Sequence, residues 1–215
     1  MKFTTQELKE LKPSQILTQN DKMRKTSKVE NIRLFNFGIT AYKSHSTGKV
    51  TCPFAKDCIK FCYARKGSFI WTNTKKAYER RYLITKDPDL FNFKLTEAIE
   101  RRKPTHLRIH DSGDFYNRDY ILQWFEIVRK FPKVVFYAYT KSKMLFDEFN
   151  FLPENLNLIY SLGSRFDNLI DQSIDRHSKI FYSMEEMNKQ GYINASNNDL
   201  KAIDPTNQKI GLLIH

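Results

Sequence analysis

The residues best suited to do chemistry in this 215-residue chain are its three cysteines, all of which fall in one short stretch. In Val50-Thr51-Cys52-Pro53-Phe54-Ala55-Lys56-Asp57-Cys58-Ile59-Lys60-Phe61-Cys62-Tyr63-Ala64-Arg65-Lys66-Gly67, five residues separate Cys52 from Cys58 and three separate Cys58 from Cys62. Thiolates are soft ligands, and three of them suit zinc or an iron–sulfur cluster. Structural zinc takes four protein ligands, so a zinc site has to borrow one of His45, His106, His110 or His177. A cubane 4Fe–4S cluster can be held by three thiolates with one iron left open, which matches the cysteine count without a further residue. The third reading is three unliganded cysteines close together by chance. Lys56, Lys60, Arg65 and Lys66 would offset a cluster's negative charge, although they are equally ordinary surface cations.

A second stretch, Leu107-Arg108-Ile109-His110-Asp111-Ser112-Gly113-Asp114-Phe115-Tyr116, alternates like a strand and then runs into a polar, glycine-containing turn. Asp111, Ser112 and Asp114 are placed to hydrogen-bond an amino or ribose group, with Gly113 letting backbone approach closely. The plainer reading makes Asp114 or Asn117 the cap of the next helix. Two later apolar runs end in the same way, at Tyr139-Thr140-Lys141-Ser142 and Leu162-Gly163-Ser164-Arg165. If these strands are parallel, all three ends share a rim with the cysteine loop, and Lys141 and Arg165 can hold a carboxylate or phosphate there.

Charge is uneven along the chain. Residues 1–103 hold 23 Lys/Arg against 10 Asp/Glu, and residues 104–215 hold 13 against 14, so the whole net excess of +12 lies in the half with the cysteines. That asymmetry points to a polyanionic partner, nucleic acid first, with a solvated basic face as the bland alternative. The segment Thr72–Ile84 reads as a helix mixing Lys75, Lys76, Arg80 and Arg81 with Tyr78 and Tyr82, the two tyrosines fitting a core. No apolar run is long enough to cross a bilayer and no leader pattern precedes the charged N-terminal residues. A cytoplasmic protein follows, in a compartment where clustered thiols stay reduced and serve metals or catalysis more often than disulfides.

Several elements must position these groups. Residues 1–30 form a polar, basic segment with one short helix near Thr5–Leu11 and scope for mobility, and residues 31–215 form a single domain. Ile32–Tyr42 alternates as a strand or hairpin arm. Helices are expected over Thr72–Ile84, Asp89–Arg102, Tyr120–Lys130 and Lys143–Phe149. Strands are expected over His106–His110, Val134–Tyr139, Leu156–Leu162, Lys179–Ser183 and Ile210–Ile214. Strands alternating with helices in this way argue for an α/β fold with parallel strands, whose functional groups gather beyond the strands' carboxyl ends.

The loop ending Cys62-Tyr63-Ala64, the segment Arg108–Phe115, the helix carrying Tyr120 and Trp124, and the strand end Tyr139-Thr140-Lys141-Ser142 together resemble the gene product 88 family of bacteriophages and mobile elements. That family is in turn similar to radical S-adenosylmethionine proteins, which build a partial parallel (β/α) barrel and hold a 4Fe–4S cluster on three cysteines after the first strand. The resemblance implies Cys52, Cys58 and Cys62 as iron ligands and Tyr63 beside the cluster. It places Asp111, Ser112 and Asp114 where the methionyl or ribose part of S-adenosylmethionine is held. It also implies reductive cleavage of that cofactor and radical chemistry on a nucleic acid or host component, in the host cytoplasm. The alternative is a non-catalytic nucleic-acid-binding or host-directed protein in which a cluster or zinc stabilises the loop.

Overall fold

The computed structural model describes residues 1–214. Its strands are β1 (Leu34–Phe37), β2 (His106–Ile109), β3 (Val135–Thr140), β4 (Leu156–Ser161), β5 (His177–Phe181), β6 (Ile193–Asn194) and β7 (Lys209–Leu213). They lie in the order β1-β2-β3-β4-β5-β7-β6, every neighbouring pair parallel, in a curled sheet that forms a half-barrel. The helices are α1 (Thr5–Lys9), α2 (Pro13–Ile16), α3 (Asp21–Val29), α4 (Cys58–Phe61), α5 (Thr72–Ile84), α6 (Pro88–Arg102), α7 (Arg118–Lys130), α8 (Lys143–Phe146), α9 (Met184–Lys189) and α10 (Leu200–Ile203).

Local chemistry sets the helix boundaries. Asp87 accepts from the Leu90 N–H at 3.1 Å and Pro88 takes the first helical position, so α6 starts where the missing proline N–H costs nothing. Its end is marked by Lys103 in the left-handed region at φ 48°. Asn117, not Asp114, caps α7, accepting from Tyr120 N–H at 3.0 Å. The amphipathic pattern of α7 then buries Tyr120, Ile121, Trp124, Phe125, Ile127 and Val128.

Strand register explains the packing. Phe35, Leu107, Phe136 and Leu156 sit side by side across four strands, as do Phe37, Ile109, Ala138 and Leu158. These rows join Tyr82, Phe91, Leu95 and Trp124 from α5, α6 and α7 in the main core. Because strand side chains alternate between faces, the intervening row Asn36, Arg108, Tyr137, Asn157 points the other way. On that face Leu34 and Tyr137 meet Met23 of α3 and Ile203 of α10, and Ile159 meets Ala195, Ala202 and Ile210.

Residues 1–30 fold as α1, α2 and α3 and bury Leu8, Leu11, Ile16, Leu17 and Met23. A bridge between Thr18 and Asn36 ties them to β1. The strand expected over 32–42 is shorter, because ladder pairing with β2 ends at Phe37 and the chain runs on as loop. The polar, Asn-rich stretch between β5 and β7 contains α9, β6 and α10. No helix among the described residues is long and apolar enough to cross a membrane.

Candidate functional site

The carboxyl ends of β1 to β4 and the cysteine loop meet at one rim. Ala55 bridges to Ser164, and the N–H of Arg165 donates to the Phe54 carbonyl at 2.9 Å. The N–H of Asp114 donates to the Thr51 carbonyl at 3.1 Å, and the N–H of Ile39 to the Ser112 carbonyl at 2.9 Å. The Thr51 N–H also donates to the Tyr42 carbonyl at 2.9 Å, so the chain after β1, β2 and β4 holds the cysteine segment through main-chain bonds.

All three cysteines are free thiols, each partly buried. Cys52 Sγ accepts the Tyr42 N–H at 3.3 Å. Cys58 begins α4 and Cys62 follows it, a spacing of one helical turn. Burial pushes all three thiols up, and Cys52 is raised further by the charges of Asp114, Cys62 and Cys58. Lys141 acts the other way on Cys58, and the Ala64 N–H, Arg65 and Lys141 do so on Cys62. Among the described residues, no three His, Cys, Asp or Glu side chains converge in a metal-ligating arrangement. By residue type alone, three thiols on one loop with main-chain N–H donors and the cations Lys141 and Arg65 beside them are the donor chemistry that soft metals take.

Of the histidines that a zinc site could borrow, His110 and His177 are committed elsewhere. His110 Nε2 pairs with the Tyr120 hydroxyl at 2.9 Å against Phe115 and Trp124, and burial with the nearby Arg108 charge pushes it down to about 3. His177 pairs with the Asp175 carbonyl and the Tyr192 hydroxyl, both at 2.9 Å. His106 opens β2, at the other end of the strand from the rim. His45 is exposed on the loop after β1.

Asp111, Ser112 and Asp114 are buried at the end of β2. Asp111 accepts from the Tyr78 hydroxyl at 2.8 Å on one carboxylate oxygen, while Oδ1 has no partner among the described residues. The Tyr63 hydroxyl donates to the Asp111 carbonyl, and burial raises that phenol. Asp114 is a clasp. It accepts from the Thr140 hydroxyl at 2.6 Å and from the N–H groups of Phe115 and Lys141 at 2.8 and 2.9 Å, although burial still raises its carboxyl. The Lys141 ammonium donates to the carbonyls of Ser161 and Leu162 at 3.3 and 3.1 Å, and Arg165 Nε to the Ala55 carbonyl at 3.4 Å. Both cations thus brace the rim through main-chain carbonyls.

A family model described as Gene product 88 matches residues 14–214. The chain belongs to the gene product 88 family. It is 32% identical over 102 residues to the Gene 88 protein of Mycobacterium phage L5, a match covering 42% of this chain and 43% of that protein. The Gene 88 protein of Mycobacterium phage D29 is 29% identical over 102 residues, covering 42% of each. The matches span less than half the length of these curated relatives. No solved structure matches the chain.

Residues that the sequence pattern passed over also shape this site. Glu79 of α5 is buried and accepts from the hydroxyls of Thr40 and Ser44 at 2.8 and 2.5 Å, from the Ser46 hydroxyl, and from the N–H groups of His45 and Ser46 at 2.9 and 3.1 Å. It organises the loop after β1. Its signal in the sequence is being the sole acid of an otherwise basic helix. Asp199 lies in the Asn-rich stretch yet is buried against Lys22 at 2.5 Å, Arg108 at 3.7 Å and the Tyr137 hydroxyl at 2.8 Å. No feature of the surrounding sequence marks it.

Proposed function

We propose that this member of the gene product 88 family binds a 4Fe–4S cluster through Cys52, Cys58 and Cys62 at the strand-end rim of its half-barrel. The observation carrying the proposal is that every cysteine of the chain sits as a free thiol on one loop, clamped against the ends of β2 and β4. Three thiolates suffice for such a cluster. When bound, it would supply a low-potential electron and an open iron able to take an amino-carboxylate ligand such as S-adenosylmethionine.

The chain's own residues would prepare the site. The Tyr42 N–H orients Cys52, while Lys141 partly offsets the burial that disfavours the Cys58 thiolate and the Ala64 N–H, Arg65 and Lys141 do so for Cys62. Tyr63 and Asp111 tie the end of the loop to β2. Asp111 Oδ1 is buried without a partner among the described residues beside Ser112, at the carboxyl end of β2. The alternative zinc site is less well supported, because two of the four candidate histidines are already hydrogen-bonded in the core and a third opens β2 at the far end of the strand.

Anaerobic purification tests the reading. Brown protein with about four iron and four sulfide per chain is expected, with loss of both in each Cys→Ala variant. Colourless protein carrying stoichiometric zinc would overturn it. Formation of 5′-deoxyadenosine from S-adenosylmethionine by the reduced protein would extend the reading to radical chemistry.

A further inference from the structure

Beside the cysteine loop lies a cavity of about 390 Å³, walled by the loop after β1, residues 64–70 and the start of α5. This is the size range of small-molecule sites. Its charge is one-sided: Lys43, Arg65 and Lys75 line it together with His45, and no aspartate or glutamate does so. None of the three cations makes an ion pair among the described residues. Glu79, the nearest acid of α5, has its oxygens taken up by hydroxyls and main-chain N–H groups.

Clustered cations without counter-charges repel one another, and an anion relieves that repulsion. The 13-residue helix α5 adds to the same potential. Trp71 provides no side-chain cap, which leaves the first N–H groups of the helix and the positive end of its dipole beside Ile70 and Lys75. Three aromatic residues, Tyr42, Phe69 and Tyr78, share the rest of the wall with small, hydroxyl and aliphatic residues. Tyr42 lies under the Arg65 guanidinium at 5.6 Å, and Phe69 and Tyr78 pack tilted with ring centroids 5.3 Å apart. Trp71 is 67% exposed next to the opening. Phosphate-binding cations beside rings that take a planar group are the combination that recognises a nucleotide.

We propose that this cavity binds a nucleoside phosphate, the phosphate on Lys43, Arg65 and Lys75 and the base against Tyr42 and Phe69. The source is either a free nucleotide or one unit of a single-stranded nucleic acid. None of the three cysteines lines the cavity, and Lys43 and Lys75 have no part in the cysteine site, so their substitution separates nucleotide binding from cluster binding.

Calorimetric titration of the full chain, purified anaerobically, provides the test, with AMP, adenosine and a short single-stranded oligonucleotide as probes. Saturable AMP binding is expected, with adenosine at least about tenfold weaker, the effect of losing a charge-assisted contact. Lys43→Ala and Lys75→Ala should each weaken AMP by about tenfold, whereas Lys189→Ala, a cation on the distant α9, should leave it unchanged. Lys43 is exposed and Lys75 half-buried, and unchanged circular dichroism and iron content would confirm intact folding. AMP displacing the oligonucleotide places both in the cavity; a strand bound tighter than AMP identifies nucleic acid as the source, and AMP bound as tightly identifies a free nucleotide. The proposal is overturned if no probe saturates, if adenosine equals AMP, if AMP fails to displace the strand, or if Lys189→Ala matches Lys75→Ala.

Discussion

The main-chain N–H of Tyr42 donates to Cys52 Sγ across 3.3 Å, joining the loop after β1 to the cysteine loop. Tyr42 itself stands at φ 62°, a left-handed conformation rarely adopted by a bulky side chain. It is held there from several sides. Its carbonyl accepts from the Thr51 N–H at 2.9 Å and its ring lies under Arg65. Backbone strain of this kind persists only where the surroundings over-determine it.

Cys52 therefore has a structural part to play even without a metal, because its contact joins two separate loop segments, whereas the main-chain donors to Cys58 and Cys62 come from their own sequence neighbours. Cys52→Ala in metal-free protein should cost about 1–2 kcal/mol, the loss of a buried acceptor and its packing. Cys58→Ala should stay within about 0.5 kcal/mol. Urea denaturation of the apo variants reads the difference. Equal costs would show that the Tyr42 contact contributes nothing, while iron content should fall in both variants alike.

Glu79 should make the loop after β1 acid-sensitive. Burial opposes its charge, but the hydrogen bonds from Ser44, Ser46, His45 and Thr40 outweigh that penalty and hold the carboxyl below its ordinary value. A carboxylate with a lowered folded pKa stabilises fully above its unfolded value of about 4.3 and loses that contribution as pH falls through the folded value. Glu79→Gln should lower stability at pH 7 by about 1–3 kcal/mol and flatten its decline below about pH 4.3. A parallel, merely shifted pH–stability curve would refute the assignment.

Much of this architecture is legible in the sequence, and the remainder is hidden for identifiable reasons. β2, β3 and β4 announce themselves because Leu107, Phe136 and Leu158 belong to short apolar runs separated by helices with clear caps at Asp87 and Asn117. The helices of residues 1–30 are harder to see, since Ile16, Leu17 and Met23 are sparse apolar residues in a basic background, and their burial depends on tertiary partners. The placing of β7 between β5 and β6 is a matter of sheet topology that no local pattern encodes. In the site, the cysteines and the Asp111–Asp114 turn stand out by residue type. Asp199 does not, because its partners Lys22 and Arg108 are remote in sequence.

His110 provides a second acid-dependent term. It stands at φ 65° and is buried with its ring on Tyr120, and burial and the Arg108 charge push it down to about 3. It stays neutral in the folded protein while the unfolded chain takes up a proton below about pH 6.5. Stability is consequently lost as pH falls from about 6.5 toward the folded value of about 3. His110→Gln should be less stable at pH 7 yet lose less on going to pH 5, as followed by thermal unfolding at the two values. A variant that loses as much as the parent would mean that His110 is protonated in the fold.

Metal loading should order the cysteine loop. Its first part is anchored, with Ala55 bridged to Ser164 and the Asp57 N–H donating to the Gly163 carbonyl at 3.3 Å. Beyond Cys58 the chain continues as a single helical turn and two 3-10 turns, with Lys60, Arg65 and Lys66 exposed. A group binding Cys52, Cys58 and Cys62 together would link the anchored part to this outer part and couple binding energy to loop closure. Limited trypsin digestion should therefore cut apo protein after Lys60, Arg65 or Lys66, and iron-loaded protein should resist there by about tenfold or more, the effect of stabilising the closed loop by at least about 1.4 kcal/mol. Identical cleavage rates at these sites, with cleavage elsewhere unchanged, would show that the metal binds without engaging all three cysteines.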